Sequence, residues 1–308
     1  MLGPIKLANK NFLSSLDLST EEVKHILELA KNFKSKKLNI EFKNKVLGLV
    51  FDKSSTRTRV SFQVAMSRLG GTTIDLNPRT SQIGRGEPIN DTARVLSSYC
   101  DVIAIRTFRH LDLEEYAKWS NKPVINALTD LEHPCQALAD FLTIKEEFHD
   151  FNKVVLTFVG DGNNVANSLI LCGALLGIEV RVACPEGYEP NPLVIKKAYE
   201  IYKNKNLLKI TNDPSSAVLG ANVLYTDVWS SMGEESQKIQ KDNDFNGFTV
   251  DKNLLNMAYE DAIVLHCLPA YRGKEISDEV IEGDKSRVFK QAENRMHVQQ
   301  ALLSCLIS

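Results

Sequence analysis

Short runs of apolar, often β-branched residues alternate with longer amphipathic segments along almost the whole chain. The apolar runs are nearly continuous rather than alternating with polar residues, which is typical of strands buried on both faces of a sheet. The strands predicted in this way are Val46–Phe51, Val102–Arg106, Val154–Gly160, Glu179–Ala183, Asn222–Thr226 and Ile263–Leu265, with a shorter stretch at Val124–Asn126.

The segments between these runs carry signals for helix starts and ends. Ser19 and Glu22 form a capping box that predicts a helix towards Lys36. Pro88 is expected at the first helical position of a segment that runs to Tyr99. The other clear helices are predicted at Arg57–Leu69, His133–His149, Asn163–Leu176 and Phe289–Leu306.

The alternation of strand and helix predicts mostly parallel sheets with helices on both faces. The pattern runs twice, and the polar stretch His149–Asn152 lies between the two halves. A chain of 308 residues has room for two domains of ordinary size. We therefore predict an α/β fold of two doubly wound domains, residues 1–148 and 149–308, whose C-terminal helix packs back towards the N-terminal domain.

Composition and charge narrow the class of protein. With 37 basic and 39 acidic residues the net charge is -2, so no bulk positive field favours nucleic acid. A signal peptide and a membrane-spanning run are not found, and a cytoplasmic protein is expected. The six cysteines are scattered, and no His, Cys or acidic cluster has the spacing of metal ligands. We therefore expect no disulfide framework, no metal and no cofactor.

A candidate anion site follows the first predicted strand. Ser55, Thr56, Arg57 and Thr58 lead directly into a helix, whose N-terminus offers unpaired backbone amides and a partial positive charge. The guanidinium of Arg57 matches phosphate oxygens with two parallel hydrogen bonds. Taken alone, the motif is better explained by Ser55 as a helix cap beside solvated arginines, and the glycines of a P-loop are missing.

Arg106 ends another strand, and His133 and Gln136 open a helix after a third. Separately, these residues are explained by a structural salt bridge and by helix capping. Ligands of parallel α/β sheets bind beyond the carboxyl ends of the strands. The conjunction of these residues with the first anion site therefore favours a common binding site.

The second half contains Gly160–Asn164, which resembles the opening of a dinucleotide fingerprint. Val165 occupies the place of the third glycine, so a nicotinamide-dependent dehydrogenase is the weaker alternative. Asn164, at a helix start, is suited to hold the carboxylate of an amino acid or to cap the helix. Asp227, which follows a strand, is suited to pair with an ammonium group or to form an Asx turn.

Cys267 follows the last predicted strand and is either an inert buried thiol or a contact for an attacking amine. A cysteine hydrolase needs a general base at the thiol, and His266 should point to the opposite face of an extended segment. The small polar residues around Ser231 and Met232 are typical of a mobile loop.

Five motifs occur in order along the chain: Ser55–Arg59, Ser81–Glu87, His133–Gln136, Asp227–Gly233 and His266–Ala270. Together they resemble those of the ornithine carbamoyltransferases over essentially the whole chain. The first and third resemble motifs of all carbamoyltransferases, whereas Ser231-Met232-Gly233 and His266–Ala270 are markers of the ornithine type. The resemblance implies transfer of the carbamoyl group of carbamoyl phosphate to the side-chain amine of L-ornithine, in trimers or multiples of trimers.

The resemblance also implies the site residues. The catalytic set is Arg57, Arg106, His133, Asp227 and Cys267. The carbamoyl phosphate set is Ser55, Thr56, Arg57, Thr58, Gln82, Arg106, His133, Pro134, Cys135, Gln136, Cys267, Leu268 and Arg295, with Gln82 reaching a neighbouring subunit. The ornithine set is Asn164, Asp227, Ser231 and Met232. The alternatives are a carbamoyltransferase for putrescine, N-acetylornithine or aspartate, and a catalytically silent binding protein.

Overall fold

The structure, a computed structural model, describes residues 3–7, 10–52, 55–77, 86–230 and 238–307. It divides into two compact units, which are described separately: the first unit comprises residues 1–142 and 293–308, and the second comprises residues 143–292. Within the described ranges, no helix combines the length and the apolar character that crossing a membrane requires.

The first unit contains a four-stranded parallel sheet of order β2-β1-β3-β4. Its strands are β1 Val46–Phe51, β2 Thr72–Leu76, β3 Val102–Arg106 and β4 Val124–Leu128. Its helices are α1 Thr20–Lys34, α2 Thr56–Arg68, α3 Ile89–Tyr99, α4 His110–Trp119, most of α5 Pro134–Phe148 and the last part of α12 Val288–Ile307. All five residues of β3 are buried, as expected of a strand with helices on both faces.

The second unit contains a five-stranded parallel sheet of order β7-β6-β5-β8-β9. Its strands are β5 Val155–Val159, β6 Glu179–Ala183, β7 Leu208–Thr211, β8 Val223–Thr226 and β9 Ile263–His266. Its complete helices are α6 Asn164–Leu176, α7 Pro192–Ile201, α8 Pro214–Val218, α9 Lys238–Asp244, α10 Lys252–Leu255 and α11 Asp278–Ile281. Trp229 and Phe245, stacked with ring centroids 5.5 Å apart, lie in its core.

The predicted fold class is confirmed, and the errors in individual elements have physical causes. No strand was predicted at β2 or β7, which lie at sheet edges and consist mainly of exposed or half-buried positions. The edge strands β4 and β9, by contrast, are almost entirely buried and were predicted, so it is the exposure of β2 and β7 that removes the continuous apolar run. Pro88 was expected at the first helical position, which is wrong: it is the N-cap of α3, in an extended conformation.

Local signals explain the helix ends that were predicted well. The Ser19 side chain accepts from the amide of Glu22, and the Glu22 carboxylate accepts from the amide of Ser19, which starts α1 at Thr20. Gly177 adopts a left-handed conformation with φ 72° and ends α6. The C-terminal helix contributes residues from Glu293 onward to the first unit, as predicted. The predicted boundary at residues 148/149 stays a prediction.

Candidate active site

Each sheet has one point at which the strand order reverses, and these points are where parallel α/β sheets bind ligands. In the first unit the reversal lies between β1 and β3, whose last residues, Phe51 and Arg106, are register partners. In the second unit it lies between β5 and β8. The segments that follow β1, β5 and β8 carry Ser55–Thr58, Asn164 and Asp227, and those that follow the neighbouring strands β4 and β9 carry His133 and Cys267.

In the first unit the segment after β1 forms the expected helix start. Ser55 is the N-cap of α2, and its hydroxyl accepts from the amide of Thr58 at 3.3 Å. Arg295, from α12, donates through Nη2 to the Thr58 hydroxyl at 2.8 Å, and both residues are buried. The helix start is therefore fixed by its own cap and by a guanidinium from the far end of the chain. Thr56 and Arg57 form the exposed and half-buried part of this turn.

Positive charge converges on His133, which immediately precedes α5. Burial lowers the pKa of His133 well below its usual range, and the guanidinium groups of Arg295, Arg106 and Arg57 lower it further. The imidazole is therefore neutral near pH 7 and acts as a hydrogen-bond donor or acceptor rather than as a cation. Three guanidiniums near one neutral imidazole form an environment that favours an anion.

The first turns of α5 hold two further predicted residues, Cys135 and Gln136, next to Pro134 at its start. Gln136 donates through Nε2 to Asp140 Oδ1 at 2.8 Å, and both side chains are buried. The Cys135 thiol donates to the Asn126 carbonyl of β4 at 3.4 Å, and burial raises its pKa to about 12. Because this thiol faces the backbone of β4, any contact of Cys135 with a ligand falls to its main chain.

In the second unit the Asp227 carboxylate accepts hydrogen bonds from the predicted residue Cys267 and from Asn163, the neighbour of the predicted Asn164. The Cys267 thiol donates to Asp227 Oδ1 at 2.9 Å, and Asn163 donates through Nδ2 to Asp227 Oδ2 at 2.9 Å. Asp227 is 6% exposed, whereas Cys267 is half-buried. Both carboxylate oxygens thus have donors that hold the group in one orientation, with the thiol beside it.

The turn after β5 supports this arrangement. Asn163 caps α6 by accepting from the amides of Val165 and Ala166, which places half-buried Asn164 at the first helical position. A Cβ on Gly162 would lie 2.3 Å from the Pro190 nitrogen, so this position accepts glycine alone. The bulky Val165 after it removes the dinucleotide fingerprint, as the sequence indicated.

A buried ion pair anchors the same turn. Asp161 accepts from Lys241 Nζ of α9 at 2.6 Å, and the two side chains are 13% and 4% exposed. A buried pair of this kind is held in place because removing either partner leaves an uncompensated charge. The pair therefore fixes α9 against the turn that carries Asn163 and Asn164.

His266 does not point away from Cys267 as the sequence predicted. Ligand atoms of Asp227, His266 and Cys267 lie within 4.8 Å of one another. Spacing along the sequence did not predict this group of possible metal ligands, since Asp227 is 40 residues from Cys267.

The contacts of His266 favour an organising role for this side chain. The Leu268 amide donates to His266 Nδ1 at 2.8 Å, and His266 Nε2 lies 3.2 Å from Glu275 Oε1. An Nδ1 that accepts places the ring proton on Nε2, facing the carboxylate. Both ring nitrogens of His266 contact protein groups. The imidazole is therefore better suited to orient Cys267 and Leu268 than to bind a metal or to activate the thiol.

Three predicted residues lie outside the described part of the chain: Gln82, Ser231 and Met232. Sequence reasoning in turn missed the partners that orient the predicted ones: Asn163, Asp140 and Glu275. A signal existed for Asn163, an asparagine at a helix start beside the predicted Asn164. Asp140 lies four residues after Gln136 on a helix that was predicted, so the i, i+4 spacing was a signal for this contact as well. Glu275 reaches His266 through tertiary structure, and nothing in the sequence around it marked that contact.

Both halves of the chain match family models. Residues 10–146 match the carbamoyl-P binding domain of aspartate/ornithine carbamoyltransferases, and residues 152–306 match their Asp/Orn binding domain. An ornithine carbamoyltransferase of Prochlorococcus marinus subsp. pastoris is 80% identical over 307 residues, covering 100% of both chains. Another from a Nostoc species is 55% identical over 301 residues, covering 98% of both chains.

Solved structures of ornithine carbamoyltransferases are similar to this chain in both units. The ornithine carbamoyltransferase from Pyrococcus furiosus superimposes with a TM-score of 0.94 at 46% identity, covering 98% of both chains. The one from Gloeobacter violaceus has a TM-score of 0.88 at 48% identity, covering 97% of this chain and 99% of that one. Sequence and structure matches of this extent, over both units, lead to one conclusion: the chain belongs to the aspartate/ornithine carbamoyltransferase family.

Proposed function

We propose that this protein transfers the carbamoyl group of carbamoyl phosphate to the side-chain amine of L-ornithine, giving L-citrulline and phosphate without a cofactor. The observation that carries the proposal is the pair of half-sites at the two switch points. One is a helix N-terminus with convergent guanidiniums, suited to an acyl phosphate. The other is an oriented carboxylate beside a thiol, suited to an amine.

Carbamoyl phosphate is held by the first unit. Its phosphate lies on the amides and hydroxyls of Ser55, Thr56 and Thr58, with the Arg57 guanidinium on its oxygens. Arg295 supports this assignment, because its bond to Thr58 keeps the first turn in place. Arg106 and Gln136 lie against the carbamoyl group, and Pro134 and Cys135 contribute their main chain.

His133 donates to the carbamoyl carbonyl oxygen as a neutral imidazole. Burial and three neighbouring guanidiniums lower the pKa of His133, so the ring polarises the carbonyl without transferring a proton to it. As the tetrahedral intermediate forms, negative charge builds on that oxygen, and His133 and Arg106 stabilise it. Removing one such donor typically costs about 3–4 kcal/mol of transition-state stabilisation.

The second unit holds ornithine and prepares its amine. An amine with a pKa of about 10.4 is neutral in about one molecule in a thousand at pH 7.4, a cost of about 4 kcal/mol. Asp227 accepts a hydrogen bond from the amine and Cys267 lies beside it, so that the proton leaves as nitrogen attacks the carbonyl carbon. The C–N bond forms, the C–O bond to phosphate breaks, and Arg57 stabilises the departing phosphate.

The remaining predicted residues complete the assignment. Asn164 holds the α-carboxylate of ornithine, Ser231 and Met232 contact the rest of the amino acid, and Leu268 lies near the carbamoyl group. Residues 1–148 act as the carbamoyl phosphate domain and residues 149–308 as the ornithine domain, which the two matched family models support. The enzyme works in the cytoplasm as a homotrimer or a multiple of trimers, with Gln82 completing a neighbouring subunit's site.

The experiment is product analysis with carbamoyl phosphate and four acceptors in parallel: ornithine, putrescine, N-acetylornithine and aspartate. Citrulline from ornithine alone is the expected result, in keeping with the names of the relatives. Product from another acceptor instead would keep the carbamoyl phosphate half and overturn the ornithine half. Absence of product from all four would contradict the proposal.

A further inference from the structure

Gln136 and Asp140 lie one turn apart on α5 and form a buried pair. Asp140 is 0% exposed and Gln136 is 1% exposed. Gln136 Nε2 donates to Asp140 Oδ1 at 2.8 Å. Within the part of the chain that the structure describes, the carbonyl oxygen of Gln136, Oε1, is buried and has no hydrogen-bond partner.

The chemistry of the two groups fixes the orientation of the amide. An ionised carboxylate accepts hydrogen bonds and donates none, whereas a glutamine amide has one accepting end and one donating end. A glutamine on its own is free to turn either end towards a ligand. Beside Asp140, the NH₂ group is committed to the carboxylate, so the oxygen is the end left for a ligand. A buried acceptor without a partner costs free energy, which a ligand that donates recovers.

We propose that Asp140 is a positioning residue that makes the site selective for a carbamoyl group. By committing the NH₂ end of Gln136 to its carboxylate, Asp140 leaves the buried Gln136 oxygen as the acceptor for the NH₂ group of carbamoyl phosphate. Other acyl phosphates differ at this point: acetyl phosphate has a methyl group of similar size that donates no hydrogen bond. Binding such a compound buries the oxygen of Gln136 without a partner. The inference rests on the proposed function, since it concerns the same substrate.

Two unreactive analogues isolate this contact. Phosphonoacetamide retains the amide NH₂, and acetonylphosphonate replaces it with a methyl group. The measurement is the ratio of their inhibition constants against carbamoyl phosphate. For the unmodified enzyme we expect phosphonoacetamide to bind about tenfold tighter or more, the effect of one buried hydrogen bond. Gln136→Met, of similar size and without the amide, sets the ratio expected when the contact is lost.

The variants of Asp140 test the positioning role. In Asp140→Asn the new side chain offers a donor as readily as an acceptor, so either end of the Gln136 amide can face the ligand. The ratio of the two inhibition constants therefore falls several-fold. Asp140→Ser, whose hydroxyl also donates or accepts, provides a second variant in case the first is poorly folded. In the Gln136→Met background, Asp140→Asn should change the ratio no further, because Asp140 acts through Gln136. A merely structural role would lower thermal stability and leave the ratio as it was.

An unchanged ratio in both Asp140 variants, with a lowered one in Gln136→Met, would overturn the proposal. Equal binding of the two analogues by an unmodified enzyme that makes citrulline would overturn it as well, and would leave the proposed function intact. Failure of the unmodified enzyme to make citrulline would refute the proposed function itself.

Discussion

Asn163 both caps α6 and orients the Asp227 carboxylate, and a single substitution separates these two functions. Its Oδ1 caps α6, and its Nδ2 donates to the Asp227 carboxylate at 2.9 Å. Asn163→Asp keeps an oxygen for the cap, since aspartate caps helices as well as asparagine does. It removes the donor to Asp227 and places a second carboxylate against the first.

The size of the effect follows from these distances. A hydrogen bond to a charged group is worth about 1.5–3 kcal/mol. Two negative charges about 4 Å apart repel by about 4 kcal/mol at an effective dielectric constant of about 20. The new pair relieves part of this repulsion by moving apart, which displaces Asp227 from the amine, or by sharing a proton, which reduces the negative charge that Asp227 offers to the amine. We therefore expect kcat/KM for ornithine to fall at least about 100-fold, equivalent to about 2.7 kcal/mol.

The assay is steady-state citrulline formation with each substrate varied in turn, together with thermal unfolding. We expect KM for carbamoyl phosphate to stay within about threefold and the unfolding temperature to change by a few degrees at most, because the cap remains. Asn191→Asp is the matched control, since Asn191 caps α7 of the same unit and accepts from the Leu193 amide. A kcat/KM for ornithine within a few-fold of the unmodified enzyme in Asn163→Asp would refute the reasoning.

Four further results are expected. Arg57→Gln should lower kcat/KM for carbamoyl phosphate by about 100-fold or more while thermal unfolding stays unchanged; turnover within a few-fold of normal would remove Arg57 from the phosphate site. Cys267→Ser should raise KM for ornithine or shift the pH profile of kcat, and a variant matching the unmodified enzyme in both would make the thiol structural. Because the pKa of His133 is lowered in the folded state, the unfolded state takes up a proton below about pH 6.5 that the folded state does not, and stability falls as pH falls. His133→Gln should therefore lose about 2 kcal/mol less stability than the unmodified enzyme between pH 7 and pH 5, measured by denaturant unfolding; equal losses would contradict the lowered pKa. Gly162→Ala should destabilise the second unit by several kcal/mol, since its Cβ would meet the Pro190 backbone, and an unchanged melting temperature would show that the turn relaxes.

The fold was predictable where the local pattern and the tertiary environment agree. Central strands such as β1 and β3 are apolar up to the arginine that ends β3, because both faces are covered, and their bounds were predicted correctly. The edge strands β2 and β7 were missed because most of their residues are exposed or half-buried. Short helices such as α10 carry too few residues for a periodic pattern.

Of the candidate site, the sequence predicted the residues expected to contact the substrates rather than most of those that orient them. Arg57, His133 and Asp227 follow strands, and a parallel sheet brings strand ends to one edge, so their proximity within each unit followed from topology. The contacts of the residues that orient the site, such as Asn163 and Glu275, did not follow from topology. The proximity of His266, Cys267 and Asp227 depends on tertiary structure, and Leu268 after them has a left-handed backbone, a conformation for which leucine shows no preference.

The most direct test of the central claim is the stoichiometry of the reaction catalysed by the purified protein. Citrulline and inorganic phosphate are measured together as carbamoyl phosphate is consumed, with and without ornithine. One citrulline is expected for each phosphate in the presence of ornithine, and only the uncatalysed release of phosphate in its absence. Phosphate released by the protein without citrulline, or no acceleration with ornithine, would contradict it.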